Sequence, residues 1–125
     1  MAVYQFSFEK LEVWQLARTL AADIYRTTAN FPQEEKYLLI SQLRRAAISV
    51  ASNLAEGAAR TKAKDKGHFT TMAFSSLMEV LNQLIIAADL GYMNQEDLES
   101  YRKRIQTLSV KLSNLKASQL RGIAN

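Results

Sequence analysis

Apolar residues recur three and four positions apart along the last third of this chain, which is the spacing of one face of an α-helix. The pattern consists of Leu98, Tyr101, Ile105, Leu108, Leu112 and Leu115. The whole chain of 125 residues contains one Pro and four Gly, too few for the frequent turns of a many-stranded sheet. The sequence therefore predicts an all-α fold.

Similar periodicity earlier in the chain predicts three more helices. The four predicted helices span residues 8–29, 33–60, 64–90 and 94–120. Pro32 disfavours helix in the residue before it, Gly91 suits a left-handed helix end, and Asn94 followed by Asp97 resembles an N-cap with an acidic partner. Long helices with short connections favour an antiparallel up-down-up-down four-helix bundle. We expect a single domain over residues 1–125.

The second predicted helix has two contrasting faces. Its apolar face consists of Leu39, Leu43, Ala47, Val50, Leu54 and Ala58. Its other face consists of Arg45, Ser49, Ser52, Asn53, Glu56 and Arg60. Ser and Asn compete with the backbone for hydrogen bonds and weaken a helix interior, whereas a solvated face normally carries Glu, Lys and Gln. This composition indicates close packing against another helix, another subunit or a ligand.

Five of these residues, together with Glu79 on the third predicted helix, are called the polar stripe below. Its members are Arg45, Ser49, Ser52, Asn53, Glu56 and Glu79. We expect them to pair inside the bundle or between subunits rather than to line a ligand pocket. Glu56 with Arg60, or Arg45 with Glu79, are examples of such pairs.

This helix also carries a resemblance to a known family. The matching residues are Ser41, Gln42, Leu43, Arg44, Arg45, Ala46, Ser49, Val50, Asn53, Leu54, Ala55, Glu56, Gly57 and Arg60. The chain resembles the four-helix bundle proteins encoded in intervening sequences of bacterial 23S rRNA genes, from residues 8–17 (FEKLEVWQLA) to Tyr92. The resemblance implies a closed ring of five subunits and brings no catalytic residues. A distant similarity to the accessory protein of diversity-generating retroelements implies nucleic acid and a reverse transcriptase as partners.

The topology of the predicted bundle separates its charges. The connection between helices two and three lies at the same end as the last turns of helix four, and we call this the basic end. Its predicted members are Arg60, Lys62, Lys64, Lys66, Lys111, Lys116 and Arg121. The opposite end collects Glu34 and Glu35, expected in the first turn of helix two, with Asp89, Glu96, Asp97 and Glu99. The helix dipole favours most of this pattern, but not lysines at the start of helix three.

A basic end on a protein of net charge +4 indicates a polyanionic partner, bound through phosphates with strong salt dependence. A ring with parallel subunit axes would repeat this end on one face. The basic segments contain no aromatic pattern that predicts base stacking. We therefore expect a non-catalytic, ring-forming bundle that binds nucleic acid or associates with a ribonucleoprotein. RNA is the expected nucleic acid, and DNA is the alternative. The alternative is an oligomeric scaffold that recruits a protein, with the basic end serving solubility.

Composition argues against catalytic and metal-binding classes. The chain has no Cys and a single His, His68, so thiolate zinc sites and cysteine nucleophiles lack their residues. A di-metal site in a bundle needs two Glu-x-x-His pairs, whereas this chain has one comparable spacing, Asp65 to His68. We expect no enzyme activity, no metal and no cofactor. An enzyme with an unrecognised pocket is the third option.

Two segments bear on location. The opening MAVYQFSFEK lacks the early basic cluster of a secretory signal. The most apolar window, residues 77–90, is interrupted by Glu79, Asn82, Gln83 and Asp89, and a membrane span needs about 20 apolar residues. We expect a cytoplasmic protein without a membrane partner.

Overall fold

The structure, a computed structural model, describes residues 3–124, with side chains for residues 3–121. The described residues form four α-helices: α1 (Glu12–Thr28), α2 (Leu39–Ala58), α3 (Ala63–Asp89) and α4 (Gln95–Ala124). Two short 3₁₀ turns, Ser7–Lys10 and Gln33–Glu35, precede α1 and α2. Consecutive helices pack side by side, α2 and α3 most extensively. The predicted all-α, antiparallel up-down-up-down four-helix bundle is confirmed; residues 1, 2 and 125 of the predicted domain lie outside the described residues.

One hydrophobic core runs through the bundle, and all four helices contribute to it. The buried side chains of α1 and α4 that the spacing predicts are Val13, Ala17, Leu20, Ile24, Leu98, Tyr101, Ile105, Leu108 and Leu112. Leu115, the last member of the α4 pattern, is half-buried. Because each fully buried Leu or Ile stabilises the fold by roughly 1.5–3 kcal/mol, these faces hold the bundle together.

The connection between α3 and α4 follows the predicted local chemistry. Gly91 has φ +79°, and the Tyr92 N–H donates to the Ala87 carbonyl at 2.9 Å. This left-handed turn closes the end of α3. Asn94 Oδ1 then accepts from the Asp97 N–H at 2.7 Å, which caps the start of α4. Both end signals are confirmed.

Helix α2 begins later than the spacing predicts. The segment 33–38 contains a separate 3₁₀ turn, and Leu38 has φ −117° and ψ −103°, outside the helical region. Glu34 and Glu35 therefore lie in that turn and not in the first turn of α2, so this placement was wrong. The physical reason is tertiary, because Phe31 is buried with its ring 5.6 Å from that of Tyr92, which draws the chain across the end of the bundle.

Helix α1 also begins later, at Glu12 rather than at Phe8. Leu11 has an extended backbone, with φ −73° and ψ 122°, so the helix cannot continue back through it. The residues before it form the turn Ser7–Lys10, which Glu9 stabilises by accepting the Phe6 N–H at 2.7 Å. The N-terminal segment is thus a separate element attached to the start of α1.

Helix α3 is the one helix among the described residues that is long and apolar enough to cross a membrane by length and composition. A core helix of a bundle passes the same test, because it contacts neighbours on two sides. Ala73, Leu77, Val80 and Leu84 of α3 are fully buried in the core. Length and composition are therefore weak support for a span, and the predicted location stays a prediction.

Gly57 permits a close approach between α2 and α3. A Cβ atom built on Gly57 would lie 2.8 Å from Cβ of Phe69 and 3.6 Å from the Lys66 carbonyl oxygen. One of these atoms is a backbone atom of α3 and the other is bonded directly to its backbone, so neither can move aside by a change of side-chain rotamer. At Gly67, by contrast, the nearest atom is Cδ2 of Leu120 at 3.1 Å, the end of a flexible side chain.

We predict that Gly57→Ala lowers the free energy of unfolding by about 1 kcal/mol, because overpacking outweighs the gain in helix propensity. Gly67→Ala is the matched control and should leave stability unchanged or raise it. Urea denaturation followed by circular dichroism measures both. Equal stabilisation by the two substitutions would contradict the close approach at Gly57.

Candidate nucleic-acid interface

The basic end forms where the end of α2, the start of α3 and the last turns of α4 meet. The Thr70 hydroxyl on α3 donates to Gln119 Oε1 on α4 at 2.7 Å. The guanidinium carbon of Arg60 lies 4.6 Å from the centre of the Phe69 ring, which holds the α2–α3 connection against α3. The predicted segments are therefore neighbours at one end.

The three lysines at the start of α3 differ in their surroundings. Lys62 and Lys64 are exposed, and neither forms an ion pair with any described side chain. Lys66 is half-buried, and its Nζ lies 3.5 Å from the Ala58 carbonyl oxygen, to which it donates. Lys62 and Lys64 are thus the cations of this loop that are open to a partner.

The predicted members on α4 contribute unequally. Lys111 Nζ lies 2.8 Å from Glu12 Oε1, so its charge is compensated by α1. Lys116 is half-buried beside a groove of about 200 Å³ between α3 and α4, which Thr70 and Phe74 also line. Arg121 is exposed. The exposed cations of the basic end are therefore those of the α2–α3 connection together with Arg121 on α4.

The net charge of the chain lies entirely at this end. The segments that form it, residues 3–12, 56–67 and 111–121, contain eight Lys or Arg and four Asp or Glu. The rest of the chain contains eight of each. Two of the four acids at the basic end are engaged locally, Glu9 with the Phe6 N–H and Glu12 with Lys111. A polyanion approaching the bundle therefore meets its positive charge at one end.

Two exposed aromatic side chains lie at the same end, and the sequence did not predict them there. Ser7 lines a cavity of about 220 Å³ with Ala58 and Lys66, so the N-terminal segment rests beside the α2–α3 connection. Tyr4 and Phe6 in this segment are 77% and 62% exposed. Their rings are 5.1 Å apart and nearly perpendicular, at 84°. The lysine-bearing segments 60–66 and 111–121 contain no such pair, but the fold brings one to them.

The polar stripe divides between the inside and the outside of the bundle. Ser49 Oγ lies 2.9 Å from Ser76 Oγ on α3. Asn53 is 8% exposed, and its Nδ2 donates to Ser49 Oγ at 3.0 Å and to the Ser49 carbonyl at 2.9 Å. Ser49 and Asn53 are thus hydrogen-bonded within the bundle.

The remaining members of the polar stripe are exposed, namely Arg45, Ser52, Glu56 and Glu79. Neither example pair forms an ion pair among the described side chains, since Glu56 does not bind Arg60 and Arg45 does not bind Glu79. Arg60 packs on Phe69 instead. Arg45 and Glu79 do line one polar cavity of about 580 Å³ on the outer face of α2 and α3. Their charges remain available to a partner outside the chain.

Gln83 lies at the wall of the same cavity and is incompletely satisfied. It is 6% exposed, and its Nε2 donates to Gln42 Oε1 at 3.3 Å. Its Oε1 is buried and has no hydrogen-bond partner among the described residues. A buried carbonyl oxygen without a partner costs about 1–3 kcal/mol. The bundle therefore retains a polar side chain that weakens its own core.

Arg44 shows a structural role that the sequence did not predict. Its Nε donates to Thr28 Oγ1 at 2.9 Å, and its guanidinium carbon lies 4.5 Å from the centre of the Tyr25 ring. These contacts join α2 to the end of α1. Arg44 is therefore occupied within the bundle, whereas its sequence neighbour Arg45 is not.

Two tyrosines in the opposite half have displaced pKa values. Burial, more than any other cause, raises the pKa of Tyr101, and the hydrogen bond between its hydroxyl and Thr27 Oγ1, 2.6 Å long, opposes this. Burial also raises the pKa of Tyr92, with the Glu35 and Glu34 carboxylates adding to the effect. These acids therefore do lie near the end opposite the lysines.

No group of His, Cys, Asp or Glu able to hold a metal ion occurs among the described residues.

Fold and site together define a small helical-bundle protein with one basic end. The chain belongs to the family of 23S rRNA-intervening sequence proteins, whose match spans residues 9–114. It is similar to a crystal structure from Bacteroides thetaiotaomicron, described as a protein with unknown function from the S23 ribosomal protein family. That similarity has a TM-score of 0.74 at 18% identity and covers 83% of this chain and 97% of the other. At this identity, the similarity shows the shared fold alone. No curated protein matches this chain.

We predict that Gln83→Met raises the free energy of unfolding by about 1 kcal/mol, because a side chain of similar length removes the buried oxygen that lacks a partner. Gln42→Ala is the opposing control. It removes the one partner of Gln83 and should lower stability. Urea denaturation of both variants checks the signs, and a loss of stability in both would show that Gln83 is satisfied in solution.

Proposed function

We propose that this protein is a non-catalytic, ring-forming bundle that binds nucleic acid, RNA in the first place, mainly through phosphates, or associates with a ribonucleoprotein. The observation that carries the proposal is the pair of exposed lysines, Lys62 and Lys64, which have no acidic partner among the described residues. They lie at the end that holds the whole net charge of +4.

The position of these lysines supports a role outside the chain. The start of a helix carries a partial positive charge, and a cation there costs a few tenths of a kcal/mol or more. Lys62 is the residue before α3 and Lys64 lies in its first turn. Asp65 is the one acid in that turn. A phosphate at this place would be favoured by both the side chains and the helix dipole.

The exposed part of the polar stripe supports assembly into a ring. Arg45, Ser52 and Glu56 lie on the outer face of α2, where Ile48 is also exposed. An apolar side chain beside an arginine that has no ion-pair partner among the described residues suits a subunit contact, because arginine is enriched at interfaces and their core is apolar. With parallel subunit axes, the basic ends would lie on one face of the ring and their fields would add. The family resemblance supports five subunits.

A second candidate is a scaffold that recruits a protein partner, such as a reverse transcriptase. The favouring observation lies away from the lysines, at the start of α2. Tyr37 is 82% exposed and Leu38 is also exposed, beside the cavity that Arg45 and Glu79 line. Exposed tyrosine and arginine are common anchors of protein interfaces. This surface and the basic end can act in one molecule.

We predict that Lys62→Ala/Lys64→Ala weakens binding to labelled structured RNA and duplex DNA, measured by fluorescence anisotropy at low and near-physiological salt. Losing two phosphate contacts should also reduce the slope of log affinity against log salt by roughly 1.4–1.8. Lys66 is left in place because it contacts the Ala58 carbonyl.

The matched control is Lys36→Ala/Lys103→Ala, which removes the same charge from exposed positions in the other half of the chain. The control should retain the salt slope of the unmodified protein. An equal loss in both variants would mean that net charge, not the basic end, attracts nucleic acid. Absence of binding even at low salt would favour the protein-recruiting scaffold.

We predict a native mass five times the 14.1 kDa of one chain, measured by native mass spectrometry. Arg45→Glu should shift the population to smaller species without loss of helical circular dichroism, because Arg45 has no partner within the described chain. Lys103→Glu on α4 is the control for charge reversal. An unchanged mass for Arg45→Glu would remove the polar stripe from the assembly contact.

A further inference from the structure

We infer that the basic end binds single-stranded RNA, with bases stacked on Tyr4 and Phe6 and phosphates held by Lys62 and Lys64. This inference rests on the proposed function and names its substrate class. Tyr4 and Phe6 lie outside residues 9–114, over which the family matches.

The geometry of the two rings leaves room for bases. An edge-to-face pair at 84° and 5.1 Å covers one face of one ring and leaves other ring faces uncovered. The exposure of Tyr4 and Phe6 confirms that most of their surface is open to solvent. Stacking of a base on such a ring is favourable for every base, because each base has a flat π surface. The pair is suited to bind without sequence preference.

The chain anchors the Phe6 end of this pair through contacts that do not use its ring, and Tyr4 packs on Phe6. Glu9 Oε2 accepts from the Phe6 N–H at 2.7 Å, and Gln15 Nε2 on α1 donates to the Glu9 carbonyl at 2.9 Å. The next aromatic along the chain, Phe8, packs edge-to-face on Trp14 with ring centres 4.9 Å apart. Because the segment is ordered before binding, less conformational entropy is lost when bases stack.

The stacking surface and the lysines lie at the same end of the bundle. Ser7, the residue after Phe6, lines one cavity with Lys66. Lys62 lies one helical turn before Lys66, and the Lys66 N–H donates to the Lys62 carbonyl at 3.0 Å. A strand that crosses this end can therefore place phosphates near Lys62 and Lys64 while its bases reach the rings.

Charge decides between nucleic acid and an apolar protein partner as the occupant. The exposed rings adjoin the segments that carry the entire net charge of +4, which suits a polyanion with flat apolar bases. A duplex presents the phosphates but keeps its bases stacked inside, so it gains nothing from the rings. The site should therefore prefer single strands over duplexes, beyond the attraction of charge alone.

The test compares the unmodified protein with Tyr4→Ala/Phe6→Ala in anisotropy titrations. The probes are an unstructured oligoribonucleotide, a strand of the same length without bases, and a duplex. The variant should bind the single strand about tenfold more weakly or worse, with its salt slope and its duplex affinity unchanged. Because Glu9 bonds the backbone of Phe6, the segment should keep its place. Tyr4→Phe keeps an aromatic ring and should keep the single-strand affinity of the unmodified protein. Tyr37→Ala, which removes a similarly exposed ring at the other end, is the control and should also leave this affinity unchanged.

The outcomes separate this inference from the function on which it rests. Salt-dependent binding that is equal for both proteins and for the strand without bases would overturn the stacking inference and leave the proposed function standing. Absence of binding by the unmodified protein at low salt would overturn both. A change in native mass caused by Tyr4→Ala/Phe6→Ala, without a change in affinity, would assign the rings to a contact between subunits and overturn the inference.

Discussion

Helices α2 and α3 approach each other closely along a face of small residues, and the placement of the basic end follows from this contact. Gly57 leaves no space for a side chain against Phe69, and Ser49 meets Ser76 within hydrogen-bond distance farther along. With the helices this close, four residues, 59–62, suffice to connect them. Because this connection is too short to fold back over the bundle, Lys62 lies exposed at the end of the bundle.

The N-terminal segment depends on the same packing. It forms contacts with α2 as well as with α1, and Ser7 shares a cavity with Ala58 at the end of α2. The contact between α2 and α3 thus helps to set where the α2–α3 connection and the N-terminal segment lie, although neither belongs to the core.

Sequence reasoning succeeded where structure is set locally and failed where it is set by distant neighbours. The ends at Gly91 and Asn94 depend on residues within one turn, and the α4 face depends on periodicity alone. The late start of α2 depends on Phe31 packing against Tyr92, far away in sequence. The polar stripe was treated as one face, yet Ser52 and Asn53 are about 100° apart around the helix, enough to leave one exposed and bury the other. The position of Ser7 beside Ala58 and Lys66 could not be predicted without the fold.

Three features of this chain oppose local stability, and each lies at a surface open to a partner. Lysines at the start of α3 oppose its dipole, and exposed Tyr4 and Phe6 leave apolar area in water. Gln83 keeps a buried oxygen that has no hydrogen-bond partner among the described residues. Violations of local rules are expected mainly at functional sites. The first two coincide at the basic end, while Gln83 lies beside Arg45 on the outer face of α2 and α3. Because the two surfaces are separate, the proposed contact between subunits would leave the basic end open to the proposed nucleic acid.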